Sequence, residues 1–222
     1  MGAIVQVYNH AAQAQQVVDA LVSQPNMRRV LIMEDGSTDE SFRAYQEALA
    51  HVKTNFTHPA HILQTNNVHE IRNYNRGMQH ILRETPHIQL LALMQDDDIL
   101  SSPHSLWALE AMDLFARFPR LCVLGGYIGW DHIQRGGSLR GPEWFGNERS
   151  YNHDPDKRQM DRTCTPQHTF QFVMAVASSP MILRKECVME IGGLSEMFTQ
   201  PGDPGILFDV EYSLRAWKLG WQ

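Results

Sequence analysis

The chain has 222 residues, of which 43% are hydrophobic and 20% are charged, and its formal net charge is −6. This length and composition are typical of a folded globular protein and exclude an intrinsically disordered chain. The negative charge argues against nucleic acid or an anionic membrane as a partner of the whole molecule.

The three cysteines predict a reducing compartment. Cys122, Cys164 and Cys187 lie far apart, without the spacing of a zinc site, and their odd number argues against a disulfide framework. The N-terminus lacks the pattern of a signal peptide, and no stretch is apolar enough to span a bilayer. We therefore expect a cytoplasmic protein without a membrane span. The final residues read as an unfinished helix–strand unit, so we expect the natural chain to continue beyond residue 222.

Strands and helices alternate along the first half of the chain. The predicted strands are 3–9, 30–33, 61–65, 88–95 and 121–130, and the helices between them are 11–24, about 38–49, 70–84 and about 104–118. Such alternation predicts an α/β fold with a doubly wound, mostly parallel sheet flanked by helices. We expect one domain, because no linker or internal repeat interrupts the pattern.

The segment 127–168 lacks periodicity and is predicted to be an irregular insertion. It is rich in Gly, Arg, His and Asp, and it contains Trp130, Trp144 and Tyr151. These aromatic side chains could stack on an acceptor sugar, or they could pack a long loop onto the sheet. After it, residues 169–198 read as strand, turn, strand and helix, and residues 205–221 read as a loop followed by a helix.

Polar side chains follow three predicted strands at the point where each strand ends. Tyr8 and Asn9 end the first strand, Glu34 and Asp35 end the second, and the run 96–98 ends the fourth. Ligands bind at the carboxyl ends of the strands in open α/β sheets. We therefore expect the three clusters to converge on one crevice.

The run of three aspartates, residues 96–98, suits a divalent cation. Adjacent carboxylates repel one another, and Mg²⁺ or Mn²⁺ prefers oxygen ligands and is often shared between carboxylates and phosphates. The alternative is a solvated turn in which Asp98 caps the following helix. In "EDGSTDES", Asp35 could accept a hydrogen bond from a nucleobase or a sugar, or the segment could be an ordinary capped turn. No GxxxxGK[ST] or GxGxxG motif is present.

Four blocks of sequence, taken in order, resemble the family 2 glycosyltransferases, which have the GT-A nucleotide-sugar-binding fold. They are "VYNH", "VLIMEDGSTDES", "LALMQDDDIL", and "SSPMILRKECVMEIGGLSEMF" with "FDVEYSLRAWKLGW" after it. The resemblance covers nearly the whole chain except residues 127–168. It departs from the family pattern at Glu34, where an aspartate is usual, and at Phe208, where a glutamate is common.

The resemblance implies roles on the donor side of the site. Tyr8 would stack on the nucleobase, and Asp35 would form a hydrogen bond to it. Asp96 and Asp98 would hold Mn²⁺ or Mg²⁺ beside the phosphates, and Asp97 is a further candidate for the cation or the nucleotide sugar.

The resemblance also implies roles on two helices. The segment "YNRG" resembles an Arg-Asn-Arg-Gly segment whose first arginine is Tyr74 here, so Arg72 or Arg76 would contact the phosphates. Asp209 would be the catalytic base. Glu211, on the same helix, is the alternative base and a possible acceptor-binding residue.

The resemblance predicts a metal-dependent, inverting glycosyltransferase of the hexosyltransferase type. Residues 1–126 would form the nucleotide-sugar half, and residues 127–222 would carry the acceptor site and the base. The donor would be a UDP-, GDP- or dTDP-sugar, and the acceptor a glycan, lipid-linked or protein-linked hydroxyl. One alternative is a sugar-phosphate nucleotidyltransferase, although "YNHAAQAQQ" lacks the Gly-rich basic loop that such an enzyme needs. The other is a carbohydrate-binding module that has the fold without turnover.

Overall fold

The computed structural model describes residues 1–53, 55–98, 106–125, 128–131, 137–140, 172, 175–176, 178, 180–198 and 207–222. The strands are β1 Gly2–Val7, β2 Arg29–Glu34, β3 Ala60–Gln64, β4 Leu90–Gln95, β5 Val123–Gly125, β6 Ile128–Asp131, β7 Gly137–Arg140, β8 Ala175–Val176 and β9 Met181–Arg184. The α-helices are α1 Ala14–Val22, α2 Ser41–Val52, α3 Glu70–Glu84, α4 Trp107–Arg117, α5 Lys185–Ile191 and α6 Phe208–Lys218, and short 3-10 helices lie at Ala11–Gln13 and Glu196–Phe198.

The main sheet has six strands in the order β3-β2-β1-β4-β9-β5. The first four strands are parallel, and β9 is antiparallel to both β4 and β5. The predicted mostly parallel α/β sheet is therefore confirmed. The single strand predicted at 121–130 is wrong, because the chain divides there into β5 in the main sheet and β6 in a second sheet.

The second sheet is small and antiparallel, in the order β7-β6-β8. Both β6 and β7 belong to the segment 127–168, which was expected to be irregular. The part of that segment that the structure describes is therefore strand, and residues 132–136 and 141–168 lie outside the described residues.

Apolar side chains alternate between the two faces of the main sheet and form two cores. Val5 and Val7 belong to the cluster that includes buried residues of α1, α2 and α4. Ile4 belongs to the cluster that includes buried residues of α3, α5 and α6. A strand buried on both faces is typical of a parallel sheet covered by helices, so β1 at the centre is apolar almost throughout.

Helix α3 lies unusually close to β1 because it contains Gly77. A Cβ atom at this position would lie 2.6 Å from the Cγ2 atom of Ile4, which is closer than side chains allow. One turn earlier, the buried Tyr74 hydroxyl donates a hydrogen bond of 2.9 Å to the Met94 carbonyl oxygen. These contacts fix the N-terminus of α3 beside the end of β4.

Cys122 and Cys187 form a disulfide bond, with their Cα atoms 5.4 Å apart. The argument against disulfides was wrong because it rested on cysteine number and sequence separation, whereas the fold brings Cys122, just before β5, against Cys187 of α5. The cytoplasmic location stays a prediction, and the cysteines no longer support it. In the part of the chain that the structure describes, no helix is both long and apolar enough to cross a membrane.

Candidate active site

An open pocket of about 280 Å³ lies at the carboxyl ends of β1, β2 and β4. It is lined by Gln6, Tyr8, Asp35, Asn67, His69, Glu70, Gln95, Asp96 and Asp97. Each of the three polar strand ends contributes one or two residues to this pocket, so their predicted convergence is confirmed. Gln6, Asn67, His69, Glu70 and Gln95 are additional lining residues that the motifs did not identify.

Tyr8 lines the pocket and is 44% exposed, which leaves ring surface available to a ligand. The backbone turns sharply after it, because Asn9 has a positive φ of 53°. The Asn9 side-chain oxygen accepts a hydrogen bond of 2.7 Å from the Thr38 backbone, and the Asn9 N–H donates one of 3.0 Å to the Ser37 hydroxyl. The end of β1 is thus tied to the loop after β2, which fixes the position of Tyr8.

Asp35 is 1% exposed and its carboxylate is engaged by the protein itself. It accepts hydrogen bonds from the backbone N–H groups of Val68 (2.7 Å) and His69 (2.8 Å) and from the hydroxyl of Thr65 (2.8 Å). These bonds hold the loop that leads into α3. The predicted contact with a nucleobase stays a prediction, and Asp35 would make it from the wall of the pocket.

Glu34, which departs from the family pattern, is buried and connects two segments of the chain. Its carboxylate accepts hydrogen bonds from the Ser37 backbone N–H at 2.6 Å and from the Gln64 side chain at 2.9 Å. The longer side chain therefore joins the turn after β2 to the edge strand β3. It does not line the pocket.

The three aspartates after β4 have different surroundings. The Asp96 carboxylate accepts a hydrogen bond from the Tyr8 backbone N–H (3.0 Å) and lies 3.1 Å from His10 Nδ1. Asp97 lines the pocket, whereas Asp98 is 1% exposed and accepts a hydrogen bond of 2.9 Å from the Gln95 backbone N–H. The alternative in which the run is simply a solvated turn does not fit a buried Asp98.

Glu70 adds another carboxyl group to the pocket at the first residue of α3. Its Oε1 atom accepts a hydrogen bond of 2.9 Å from the Gln95 side chain. Burial raises the pKa of the Glu70 carboxyl, and the negative charges of Asp209 and Asp96 raise it further. Burial likewise raises the pKa of Asp96, although the hydrogen bonds from Tyr8 and His10 oppose this shift. The acids of this pocket therefore repel one another.

This excess of negative charge fits a divalent cation that is shared with a ligand. Among the described residues, no group of three or more His, Cys, Asp or Glu side chains is arranged as a ready metal site. Mg²⁺ usually takes one or two carboxylates and completes its shell with phosphate oxygens and water. The run 96–98 can supply that number of carboxylates at the pocket.

A comparison with protein-family models decides the identity of the fold. The model described as "Glycosyl transferase family 2" matches residues 3–178. The chain belongs to this family.

Solved structures similar to the family 2 chain are GT-A glycosyltransferases. The mannosyltransferase PcManGT from Pyrobaculum calidifontis, in complex with GDP-Man and Mn²⁺, is 13% identical with a TM-score of 0.63, covering 100% of this chain and 52% of that one. TarS from S. aureus is 14% identical with a TM-score of 0.55, covering 97% and 54%. Glucosyl-3-phosphoglycerate synthase from Mycobacterium tuberculosis, with Mn²⁺, UDP-Glc and phosphoglyceric acid, is 10% identical with a TM-score of 0.50, covering 86% and 58%. No curated protein matches the chain. The chain spans about half the length of these structures.

Asp209, the base that the family resemblance implies, lies in the first turn of α6. Its Oδ2 atom accepts a hydrogen bond of 2.8 Å from the Ser178 backbone N–H. Its negative charge adds to the burial that raises the pKa of Glu70. Leu207, two residues earlier, has a positive φ of 65°, a conformation that is uncommon for a residue with a side chain.

Glu211 has a structural partner instead. Arg215 donates two hydrogen bonds to its carboxylate, at 2.7 and 2.9 Å, and further bonds to the carbonyl oxygens of Ile191 and Gly193. The pair joins α6 to the end of α5. Its role as base or acceptor ligand stays a prediction.

The remaining predicted residues are not brought to the pocket wall. The Arg72 Nε atom lies 3.3 Å from the Glu196 carboxylate, and Arg76 is exposed. Neither is among the described residues that line the pocket. Trp130 belongs to β6 by its backbone, and its side chain lies outside the described residues, as do Trp144 and Tyr151. Their roles toward phosphate and acceptor stay predictions.

Proposed function

We propose that this chain transfers a sugar from a nucleoside-diphosphate sugar to an acceptor hydroxyl, with inversion at the anomeric carbon. The observation that carries the proposal is the acidic pocket in which the Tyr8 ring, Asp35, Asp96 and Asp97 meet at three strand ends. Family membership and the GDP-Man and UDP-Glc complexes of similar structures support it. The donor half would be residues 1–126, and the acceptor site and base would lie in residues 127–222.

The roles proposed for the residues come from the family resemblance, and the positions of Tyr8, Asp96 and Asp97 in the pocket support them. Tyr8 offers a ring face to the nucleobase, and Asp35 holds the loop that closes the pocket beside it. Asp96 and Asp98, with Asp97 as the pocket-facing candidate, would hold Mn²⁺ or Mg²⁺. That cation would offset the charge of the departing diphosphate. Arg72 or Arg76 would reach the phosphates only if its side chain moved from its present position.

Asp209 would remove the proton from the acceptor hydroxyl. A carboxylate in the first turn of a helix is stabilised in its ionised form by the helix dipole. The Ser178 N–H donates to Oδ2 and the Val210 N–H donates to Oδ1, so each oxygen keeps a lone pair that would accept the proton. Attack from that side, opposite the leaving group, inverts the anomeric centre without a covalent intermediate.

Two assays test the proposal. Calorimetry with UDP, GDP and dTDP is expected to show binding of at least one nucleotide in Mn²⁺ and much weaker binding in EDTA. Equal affinity in both would contradict the cation assignment. Incubation with the corresponding sugar nucleotides should then release free sugar or transfer it, and NMR of the first product should show the inverted anomer.

The two alternative functions predict different outcomes. A nucleotidyltransferase would consume a nucleoside triphosphate and a sugar phosphate, and neither the family match nor the first loop favours this. A carbohydrate-binding module would bind sugar without turnover. Binding of a nucleotide sugar with no hydrolysis or transfer for any acceptor would favour the module.

A further inference from the structure

We propose that His10 is a positioning residue for the cation site, because it fixes the orientation of the Asp96 carboxylate. This inference rests on the proposed function, which assigns a divalent cation to the run 96–98. His10 is the last residue of the block "VYNH", and the family resemblance assigned it no role.

The two oxygens of Asp96 are held by two neighbouring residues of one loop. The Tyr8 backbone N–H donates to Oδ2 at 3.0 Å, and His10 Nδ1 lies 3.1 Å from Oδ1. The two side chains, His10 and Asp96, are only 26% and 16% exposed. A carboxylate offers about four lone-pair positions, so two remain for a cation once these bonds have set the plane of the group.

The backbone of His10 is itself held by contacts to the start of α2. The His10 backbone N–H donates a hydrogen bond of 2.7 Å to the hydroxyl of Ser41, which is fully buried at the start of α2. Asp39 accepts hydrogen bonds from the backbone N–H groups of Ser41 at 2.9 Å and of Ala11 at 3.4 Å. The loop after β1 is therefore anchored to α2, which fixes the backbone from which the His10 ring reaches Asp96.

This arrangement is one that metal sites use. Partners that form hydrogen bonds to a ligating carboxylate orient it, and their removal typically lowers metal affinity by about 10–100-fold. Tyr8 lies in the same loop, so Asp96 connects the residue that would stack on the nucleobase with the site that would hold the cation. A simple surface ion pair would instead add little to stability and would leave cation affinity unchanged.

Three substitutions of His10 separate positioning from packing. The side-chain nitrogen of asparagine lies as many bonds from Cα as His Nδ1, whereas that of glutamine matches Nε2. His10→Asn should therefore preserve the bond to Asp96, and His10→Gln and His10→Ala should lose it. His51→Ala, at the exposed far end of α2, is the matched control.

The probe is Mn²⁺ alone, measured by electron paramagnetic resonance, followed by Mn²⁺ with UDP or GDP in calorimetry. We expect the Mn²⁺ dissociation constant to rise about 10–100-fold in His10→Gln and His10→Ala. In His10→Asn and His51→Ala it should stay within about threefold of the wild type. Melting temperatures of all variants serve to show that the fold is kept.

Each outcome decides a different point. Wild-type Mn²⁺ affinity in His10→Ala, or recovery by glutamine rather than asparagine, would overturn the positioning role while the proposed function stands. If the variants show the expected Mn²⁺ affinities but no nucleotide binds, the role of His10 is supported and the proposed function is refuted. A wild-type protein that binds no Mn²⁺, even with nucleotide present, would overturn both.

Discussion

Replacement of Asp209 by asparagine tests the catalytic base with little effect on the fold. The amide keeps one oxygen that can accept the 2.8 Å hydrogen bond from the Ser178 N–H. Loss of the charge, and of the Val210 hydrogen bond to the other oxygen, should lower the free energy of unfolding by about 1.5–3 kcal/mol. Loss of a general base should reduce the transfer rate by about 10²–10⁴-fold. That corresponds to roughly 3–5 kcal/mol in activation free energy, so the kinetic effect should exceed the structural one.

Glu211→Gln is the matched control, two residues along the same helix. Its carboxylate is bound by Arg215, and the two side chains are 21% and 24% exposed. Loss of this pair should cost about 0.5–1 kcal/mol, or a melting temperature lower by roughly 1–4 °C for a chain of this size. Its transfer rate should stay within about threefold of the wild type.

The assay is initial-rate transfer or donor hydrolysis at saturating Mn²⁺, with calorimetry to show that donor affinity is unchanged. The reasoning is refuted if Asp209→Asn retains full activity while Glu211→Gln loses it, because the base is then Glu211. If both variants stay active, inversion requires a base elsewhere in the chain.

Three further changes test the pocket itself. Tyr8→Ala should weaken nucleotide binding by about 1–3 kcal/mol in calorimetry, by analogy with base–aromatic stacking, whereas Tyr8→Phe should bind normally. An equal loss of nucleotide affinity in both variants would indicate that the Tyr8 hydroxyl, and not the ring, makes the contact. Asp98→Ala leaves the Gln95 N–H without its acceptor and should lower the free energy of unfolding by about 1–3 kcal/mol in denaturant titration. Asp98→Asn keeps an acceptor and should lose mainly cation affinity. An unchanged stability of Asp98→Ala would contradict this. The folded-state pKa of Glu70 is raised, so its contribution to stability falls as pH rises through that pKa. Glu70→Gln should therefore be more stable than the metal-free wild type at pH 7 by a margin that shrinks towards pH 4, and a margin independent of pH would refute the shift.

Much of the fold could be predicted because local pattern and tertiary structure agree. The helix predicted at 70–84 has those bounds in the structure, since its apolar residues repeat at helical spacing and face one core. The strand predicted at 30–33 is one residue shorter than β2 at each end, and the strand predicted at 88–95 begins two residues before β4 and ends at the same residue. The division of 121–130 could not be predicted, because β9 enters the sheet between β4 and β5 from far along the chain.

The site was predictable where it depends on strand ends and unpredictable where it depends on the approach of separate segments. Parallel strands bring Tyr8, Asp35 and Asp96 to one edge of the sheet, as their positions in the sequence indicate. Glu70 looks like an ordinary first residue of a helix, and only the packing of α3 against β1 carries it to the pocket. His69 and Asn67 adopt positive φ angles of 67° and 49° in the loop before it. Asn and His adopt this conformation more often than most residues, but no pattern in the sequence says which of them does.

The charge of the pocket links its structure to the proposed chemistry. The described residues that line it include four carboxylic acids and no lysine or arginine. Burial, and to a smaller extent the repulsion between these acids, raises the pKa of Glu70 and Asp96. A nucleoside diphosphate brings further negative charge, so its direct entry would add to that repulsion. A divalent cation reverses the sign of that interaction, because it attracts both the carboxylates and the phosphates. Nucleotide affinity should then rise with cation concentration until the site is filled. The same acids that destabilise the pocket without metal would then make donor binding depend on it.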